Sequence, residues 1–111
     1  MEDLRKIESE GLPGKPVIIS EMGGGAPAGH HGPADQMWTE EFQERIYRQQ
    51  TKIISELKSV RGLTPWILYD FRAPFRLNMY QNGYNRKGLL SPDRQTRKKA
   101  FYVLQAFYKT K

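Results

Sequence analysis

Residues 15–25 read KPVIISEMGGG, the stretch that decides the fold. Positions 17–19 are consecutive β-branched residues, which is typical of a strand in a parallel sheet that is buried on both faces. We expect this strand to run from Pro16 to Ser20. Glu21 follows it directly and three glycines come next. In barrels and open parallel sheets the C-terminal end of a strand faces the site. A structural role for Glu21, capping a loop or pairing with an arginine, is the alternative.

A second apolar run, Trp66–Tyr69, also ends in an acidic residue, Asp70. The predicted elements are a helix over residues 1–10, a strand over 16–20, a helix from about 39 to 57, a strand over 66–69 and a helix from about 93 to 108. Thr39 is a suitable N-cap for the middle helix, with Glu40 and Glu41 in its first turn. Residues 23–35 and 71–92 are predicted as long loops. This alternation of helices and strands favours an α/β fold with parallel strands joined by helical crossovers.

Two parallel strands and three helices leave both edges of the sheet and much apolar surface uncovered. We therefore interpret residues 1–111 as one segment of a larger domain that is incomplete on its own. Expressed alone, the chain is expected to aggregate, to form oligomers or to stay partly unfolded. The remainder of the domain is its expected partner.

Composition narrows the class of protein. The chain is 38% hydrophobic and 27% charged, as in soluble globular proteins, and it has no apolar run of the roughly 18 residues that span a membrane. It has no cysteine, which excludes disulfides and thiolate chemistry. The net charge of +6 raises nucleic-acid binding as an alternative. However, the basic residues are dispersed, and solvated helix faces around Arg97, Lys98 and Lys99 explain them as well.

Five residues are candidates for binding or catalysis, and each has a structural alternative. A strand-end glutamate such as Glu21 can act as a nucleophile, and an aromatic residue such as Trp66 can stack on a sugar ring or fill a core. Asn85 and Lys87 are two apart in a loop and could hold a carboxylate, or form a solvated turn. His31 could donate to a substrate hydroxyl.

The histidine pair and Asp70 are weaker candidates for a functional role. The adjacent pair His30 and His31 points apart and has no further ligand at suitable spacing, so no metal site is predicted. No dinucleotide or phosphate-binding motif occurs, and no cofactor is expected. Asp70 could bind substrate hydroxyls or pair with Arg72.

Taken together, these motifs resemble the catalytic barrel of glycoside hydrolase family 2, which includes β-galactosidases, β-glucuronidases and β-mannosidases. The resemblance covers about residues 15–108. The matching stretches are KPVIISEMG, AGHHG, MWTEEFQ, PWILYDF, NRKGLLSPDR and KKAFYVL, in that order. The resemblance implies the C-terminal part of a (β/α)₈ barrel, with KPVIIS as strand seven and PWILYDF as strand eight, together with the helices that follow them.

The resemblance also implies roles for individual residues. Glu21 matches the catalytic nucleophile of a retaining exo-β-glycosidase, whose acid/base partner in the family is a glutamate on strand four and is not in this chain. Trp66 matches a tryptophan that lines the sugar pocket, and His31 matches a loop histidine. Asn85 and Lys87 match the Asn-x-Lys element of the β-glucuronidase branch, which holds the carboxylate of the sugar.

Two positions depart from the family pattern. Met22 stands where many members have a tyrosine that orients the nucleophile, and Ile67 stands where glucuronidases have an asparagine. The expected activity is hydrolysis of β-glucuronides, with the chain alone inactive. The alternatives are β-galactosidase-type specificity and a non-catalytic module that binds carbohydrate or anions.

Overall fold

The computed structural model describes Lys6 and residues 14–111. The helix predicted over residues 1–10 lies outside the described residues except at Lys6. The described elements, in chain order, are β1 (Val17–Ile19), α1 (Glu40–Glu56), β2 (Val60–Leu63), β3 (Phe71–Arg72), β4 (Tyr84–Asn85) and α2 (Lys99–Lys109).

Strands β1 and β2 form a parallel pair connected by α1, as the α/β prediction requires. Val17 pairs with Val60, Ile18 with Gly62 and Ile19 with Leu63, with one irregularity after the first pair. A short antiparallel hairpin, β3–β4, forms a separate two-stranded sheet. The first predicted strand and the parallel arrangement are therefore confirmed.

The predicted second strand, Trp66–Tyr69, is wrong, because the strand lies earlier at Val60–Leu63. Residues 66–69 do not continue that strand. Trp66 N still donates to Met22 O, whereas Ile67 and Leu68 bond to the loop around residues 87–90. Ile67 N donates to Lys87 O, and Leu90 N donates to Leu68 O. An apolar run was a misleading signal here, since the actual strand contains Arg61, which is exposed, and Gly62.

The sequence predicted that the first strand is buried on both faces, and this prediction is wrong. Ile18 is 68% exposed, whereas Val17 and Ile19 are half-buried. Within the described residues, α1 and α2 cover one side of the parallel pair. The core on that side is apolar and is made of Tyr47, Ile54, Leu63, Leu89, Ala100, Val103 and Leu104.

Helix α1 begins where the sequence predicts. The Thr39 hydroxyl accepts a hydrogen bond from Phe42 N at 3.0 Å, which satisfies one free amide of the first turn. Its buried stripe, however, is largely polar. The stripe comprises Glu40, Gln43, Tyr47, Thr51 and Ile54, and the predicted apolar face is mostly half-buried. This is because part of the stripe packs against loops whose backbone needs hydrogen-bond partners.

Helix α2 begins at Lys99 and not near Asp93 as predicted. The Asp93 carboxylate accepts from Ser91 Oγ at 2.5 Å and from Gln95 N at 3.0 Å, which closes a turn. Arg94 has a φ of 64°, outside the helical region. The side chain of Asp93 therefore stabilises a turn that competes with helix initiation.

A buried ion pair connects Lys98, at the start of α2, to the loops that contain Asp70 and Arg86. Lys98 Nζ lies 2.7 Å from Asp70 Oδ1, both side chains are fully buried, and Arg86 Nη1 lies 3.6 Å from Asp70 Oδ2. The interpretation of Lys98 as a solvated base is therefore wrong, and Asp70 pairs with Lys98 and Arg86 instead of Arg72. Burial raises the pKa of Asp70 and lowers the pKa of Lys98, and the attraction between the two charges opposes both shifts.

Replacement of Lys98 by methionine is expected to lower the free energy of unfolding by about 3–5 kcal/mol, because it leaves Asp70 charged, buried and without its closest partner. Its neighbour Lys99 is exposed and lies 3.8 Å from Glu41, so Lys99→Met is the matched control and should change stability by less than about 1 kcal/mol. Urea unfolding of the full-length protein, followed by circular dichroism at one protein concentration, measures both. Equal losses in the two variants would contradict the importance of the buried pair.

Candidate functional site

Three of the predicted site residues meet at one pocket. Its volume is about 280 Å³, and it is lined by Glu21, Met22, Gly23, Trp66 and Lys87. Among these lining residues Glu21 is the one acid and Lys87 the one base. A carboxylate, an ammonium group and an indole therefore share a small polar cavity, although they come from three separate segments of the chain.

Backbone hydrogen bonds hold the segment of Glu21 against that of Trp66. Thr64 N donates to Ile19 O at 2.9 Å, Thr64 Oγ1 donates to Ser20 O at 2.8 Å, and Trp66 N donates to Met22 O at 2.8 Å. These contacts extend the pairing of β1 and β2 beyond the strand ends. Glu21 therefore lies between two anchored residues and opposite the segment that carries Trp66.

Lys87 is fixed through the residues on either side of it. Lys98 Nζ donates to Arg86 O at 3.2 Å, and Gly88 N donates to Asp70 Oδ1 at 2.9 Å. A Cβ at position 88 would overlap the backbone of Asp70, so only glycine allows this close approach. The buried ion pair thus determines where the backbone of Lys87 lies.

Asn85 does not line the pocket. Its side chain is buried, with the residue 4% exposed, and its Oδ1 accepts from Lys87 N at 3.0 Å. This is a local turn of the kind that asparagine favours. Because the oxygen is used in this way, the amide hydrogens on Nδ2 are the groups that Asn85 has left for a ligand carboxylate.

Trp66 is partly exposed in the pocket and meets the edge of Phe71, with 6.4 Å between ring centroids. The edge-to-face contact orients the indole ring and is a favourable aromatic geometry. This contact also connects the pocket to the β3–β4 hairpin.

His31 lies outside the lining of the pocket, at the start of α1. Its Nδ1 is 2.8 Å from Glu41 Oε2, and its Nε2 is 3.7 Å from Glu40 Oε2. The hydrogen bond to Glu41 raises the pKa of His31 above its usual value, although burial opposes it. Glu40 is itself occupied, since it accepts from Gly29 N at 2.7 Å and from Lys99 N at 2.8 Å.

Gln43 and Lys98 hold the site together but were not predicted from the sequence, and Asp70 was predicted as a candidate with Arg72, not Lys98, as its partner. Gln43 is fully buried on α1. The pairing of Asp70 with Lys98 has no signal in the sequence, because it joins positions 28 residues apart.

The described residues include neither a membrane-spanning helix nor a cluster of metal ligands. No helix in residues 14–111 is both long enough and apolar enough to cross a membrane. Within that range, no three histidine, aspartate or glutamate side chains converge as metal ligands would.

Replacing Glu41 by glutamine is expected to lower the pKa of His31 towards 6.5, because the amide cannot stabilise the protonated imidazole. A raised histidine pKa contributes stability that is complete below the unfolded value and is lost as the pH rises through the folded value. Deuterium exchange at the imidazole C2 position, read by tandem mass spectrometry, measures this pKa separately from that of His30. Glu44→Gln, three residues along the same helix, is the control and should leave it unchanged. An unchanged pKa in Glu41→Gln would contradict the assignment.

The chain is similar to known proteins in sequence and in structure. No protein-family model matches the chain. The β-glucuronidase of Bacteroides fragilis is 38% identical over 97 residues, which cover 81% of this chain and 14% of that protein. The β-glucuronidase of Paenibacillus borealis is 37% identical over 82 residues, covering 74% of the chain and 13% of the relative. The chain therefore spans about one seventh of the length of these curated relatives.

Solved structures match almost the whole chain. A GH2 β-galacturonidase from Eisenbergiella tayi, bound to galacturonate, has a TM-score of 0.80 and 28% identity, covering 99% of this chain and 20% of the enzyme. The Lactobacillus rhamnosus β-glucuronidase also has a TM-score of 0.80, with 31% identity, and the match covers 97% of the chain and 18% of that structure. In sequence and in fold, the chain thus corresponds to a segment of glycoside hydrolase family 2 enzymes, which confirms the resemblance predicted from its motifs.

Proposed function

We propose that this chain forms one side of the active site of a retaining exo-β-glycosidase that acts on β-glucuronides. In this proposal β1 and β2 are strands seven and eight of a (β/α)₈ barrel, and the chain is the C-terminal part of that domain. The observation that carries the proposal is the pocket lined jointly by Glu21, Trp66 and Lys87. The sequence and structural relatives, which are β-glucuronidases and a β-galacturonidase, support it.

Glu21 is the proposed nucleophile. Its carboxylate attacks the anomeric carbon while the bond to the leaving oxygen breaks, which forms a glycosyl ester on Glu21. A second carboxylic acid gives its proton to the leaving oxygen and then takes a proton from the water that hydrolyses the ester. Two inversions at the same carbon give net retention. Retention requires the two carboxyl groups to lie about 5–5.5 Å apart.

The acid/base group belongs, in this proposal, to the part of the barrel that the chain does not include. Glu40 and Glu41 are committed to backbone and histidine contacts at the start of α1. Asp70 is buried in its ion pair with Lys98. None of these three lines the pocket with Glu21.

Lys87 is the proposed contact for the carboxylate of a uronic acid. An ammonium group attracts a carboxylate, and the Nδ2 hydrogens of Asn85 can add a directional bond. A neutral sugar would leave these two groups without a partner, so the site discriminates well against it. Both names among the structural relatives, glucuronidase and galacturonidase, refer to sugars with this carboxylate.

Trp66 is the proposed platform for the sugar ring, because an indole offers an apolar face together with one N–H donor. His31 is proposed as a more distant contact to substrate hydroxyls.

Neutral galactosides are the alternative substrates, and a site for them would not need Lys87. A non-catalytic module that binds carbohydrate or anions would bind sugar without turning it over.

Replacing Glu21 by glutamine in the full-length protein is expected to lower kcat on a β-glucuronide by at least about a thousandfold, because the amide cannot form the glycosyl ester. Glu44→Gln is the matched control and should retain activity, since Glu44 pairs with Arg48 on the outside of α1. Release of a chromogenic aglycone measures both. Turnover retained in Glu21→Gln would exclude this residue as the nucleophile.

The 111-residue chain alone should show no hydrolysis, because it lacks the second carboxylate. Activity of the chain alone that depends on Glu21 would contradict the need for that group.

Replacing Lys87 by alanine should lower kcat/KM for the β-glucuronide by about ten- to a hundredfold and change kcat/KM for a β-galactoside little. The physical reason is that only the uronide loses a charge-assisted contact. Lys52→Ala, on the exposed side of α1, is the control for removal of a positive charge. Equal losses on the two substrates would rule out a carboxylate contact and favour the galactosidase alternative.

A further inference from the structure

Gln43 joins the two loops that carry the opposite sides of the pocket. It is fully buried on α1, and its Nε2 donates to Gly24 O at 2.9 Å and to Gly88 O at 3.1 Å. Gly24 lies three residues after Glu21, and Gly88 follows Lys87 directly. A single amide group therefore bonds the loop of the proposed nucleophile to the loop of the proposed carboxylate contact.

Both glycines bonded by Gln43 lie close to other parts of the chain. A Cβ at Gly24 would lie 2.7 Å from Ile46 Cδ1, and a Cβ at Gly88 would overlap Asp70. The two loops also bond directly to each other, through Ala26 N and Arg86 O at 2.9 Å. The two glycine carbonyls both accept hydrogen bonds from Gln43 on α1.

The other end of the amide indicates why a glutamine is needed. Its Oε1 is buried and has no hydrogen-bond partner among the described residues. An unpaired buried acceptor is costly, and an apolar side chain of the same length would avoid that cost. The donor hydrogens on Nε2 are therefore the groups that the site requires at position 43.

We propose that Gln43 is a positioning residue that sets the selectivity of the pocket for uronides over neutral glycosides, by holding Gly88 and hence Lys87 at a fixed distance from Glu21. This inference rests on the proposed function. The peptide groups around Gly88 are held from two sides, by Asp70 at N–H and by Gln43 at C=O. Loss of the Gln43 donors leaves Gly88 C=O without this contact, so that the Lys87 segment is held by its remaining contacts, among them those of Asp70, Lys98 and Ile67. Glu21 is less affected, because both of its neighbours keep hydrogen bonds to the segment from Thr64 to Trp66.

The test is Gln43→Met in the full-length protein, which keeps the length of the side chain and removes both donors. The substrates are an aryl β-glucuronide and the matching aryl β-glucoside, which differ only at the group on C5. The expected result is a rise in KM for the glucuronide of roughly tenfold, with little change in its kcat and little change for the glucoside. Because KM does not depend on how much of the enzyme is folded, a partly unfolded variant still gives a valid answer.

Thr51→Val is the matched control, since Thr51 is a buried polar residue of the same helix whose hydroxyl bonds only within α1, to Tyr47 O and Arg48 O. It should lower stability without changing the ratio of the two KM values. Gln43→Asn, which keeps the donors but withdraws them by one methylene, is the second variant if Gln43→Met does not fold, and it should raise KM for the glucuronide by a smaller factor.

A double-mutant cycle separates this inference from the proposed function. In the Lys87→Ala background, Gln43→Met should cause no further rise in KM for the glucuronide, because it acts through Lys87. If Lys87→Ala is selective but Gln43→Met affects both substrates equally, or raises KM to the same extent without Lys87, the inference about Gln43 is wrong. If Lys87→Ala itself is not selective, the proposed carboxylate contact fails instead.

Discussion

The ion pair between Asp70 and Lys98 is the contact on which the rest of the pocket depends. Two fully buried charges lie 2.7 Å apart, and each also binds the loop that carries Lys87. Asp70 accepts from Gly88 N, and Lys98 donates to Arg86 O. Burying the two ions is costly, so the pair is retained only where each partner has the other and further hydrogen bonds. That requirement constrains the loop from residue 85 to 88 to one conformation against the end of the parallel pair.

The pocket is built mainly from backbone contacts between segments that are distant in sequence. Glu21 and Trp66 are brought together because the pairing of β1 and β2 continues past their ends, through Thr64 N to Ile19 O and Trp66 N to Met22 O. Lys87 joins them through its carbonyl, which accepts from Ile67 N. Side chains that contact the backbone, above all those of Gln43 and Lys98, then hold the three segments in register. Such contacts fix the positions of ligand-binding groups more firmly than loop residues could alone.

Much of this arrangement could be predicted from the sequence, and the errors have physical causes. A β-branched run predicts the strand before Glu21, and a capping residue predicts the helix that starts after Thr39. The alternation of helices and strands along the chain predicts the parallel pairing. The second strand was misplaced because Trp66–Tyr69 is more apolar than the true strand, Val60–Leu63, while its backbone bonds serve the loop at 87–90. The burial of Lys98 could not be predicted, since lysines next to a helix are usually solvated and its partner lies 28 residues away. The proposed carboxylate contact was predicted as a pair, but only Lys87 lines the pocket, and Asn85 is engaged in a turn.

The most direct measurement of the central claim is the identity of the residue that becomes covalently attached to sugar. A β-glucuronide with fluorine beside the anomeric carbon and an activated leaving group forms the glycosyl ester faster than water can hydrolyse it. Incubation with the full-length protein, followed by proteolysis and tandem mass spectrometry, locates the modified side chain. We expect an ester on Glu21, in the peptide that contains ISEMGGG, and none in Glu21→Gln. An ester on any other carboxylate, or release of the leaving group with inversion at the anomeric carbon, would contradict this expectation.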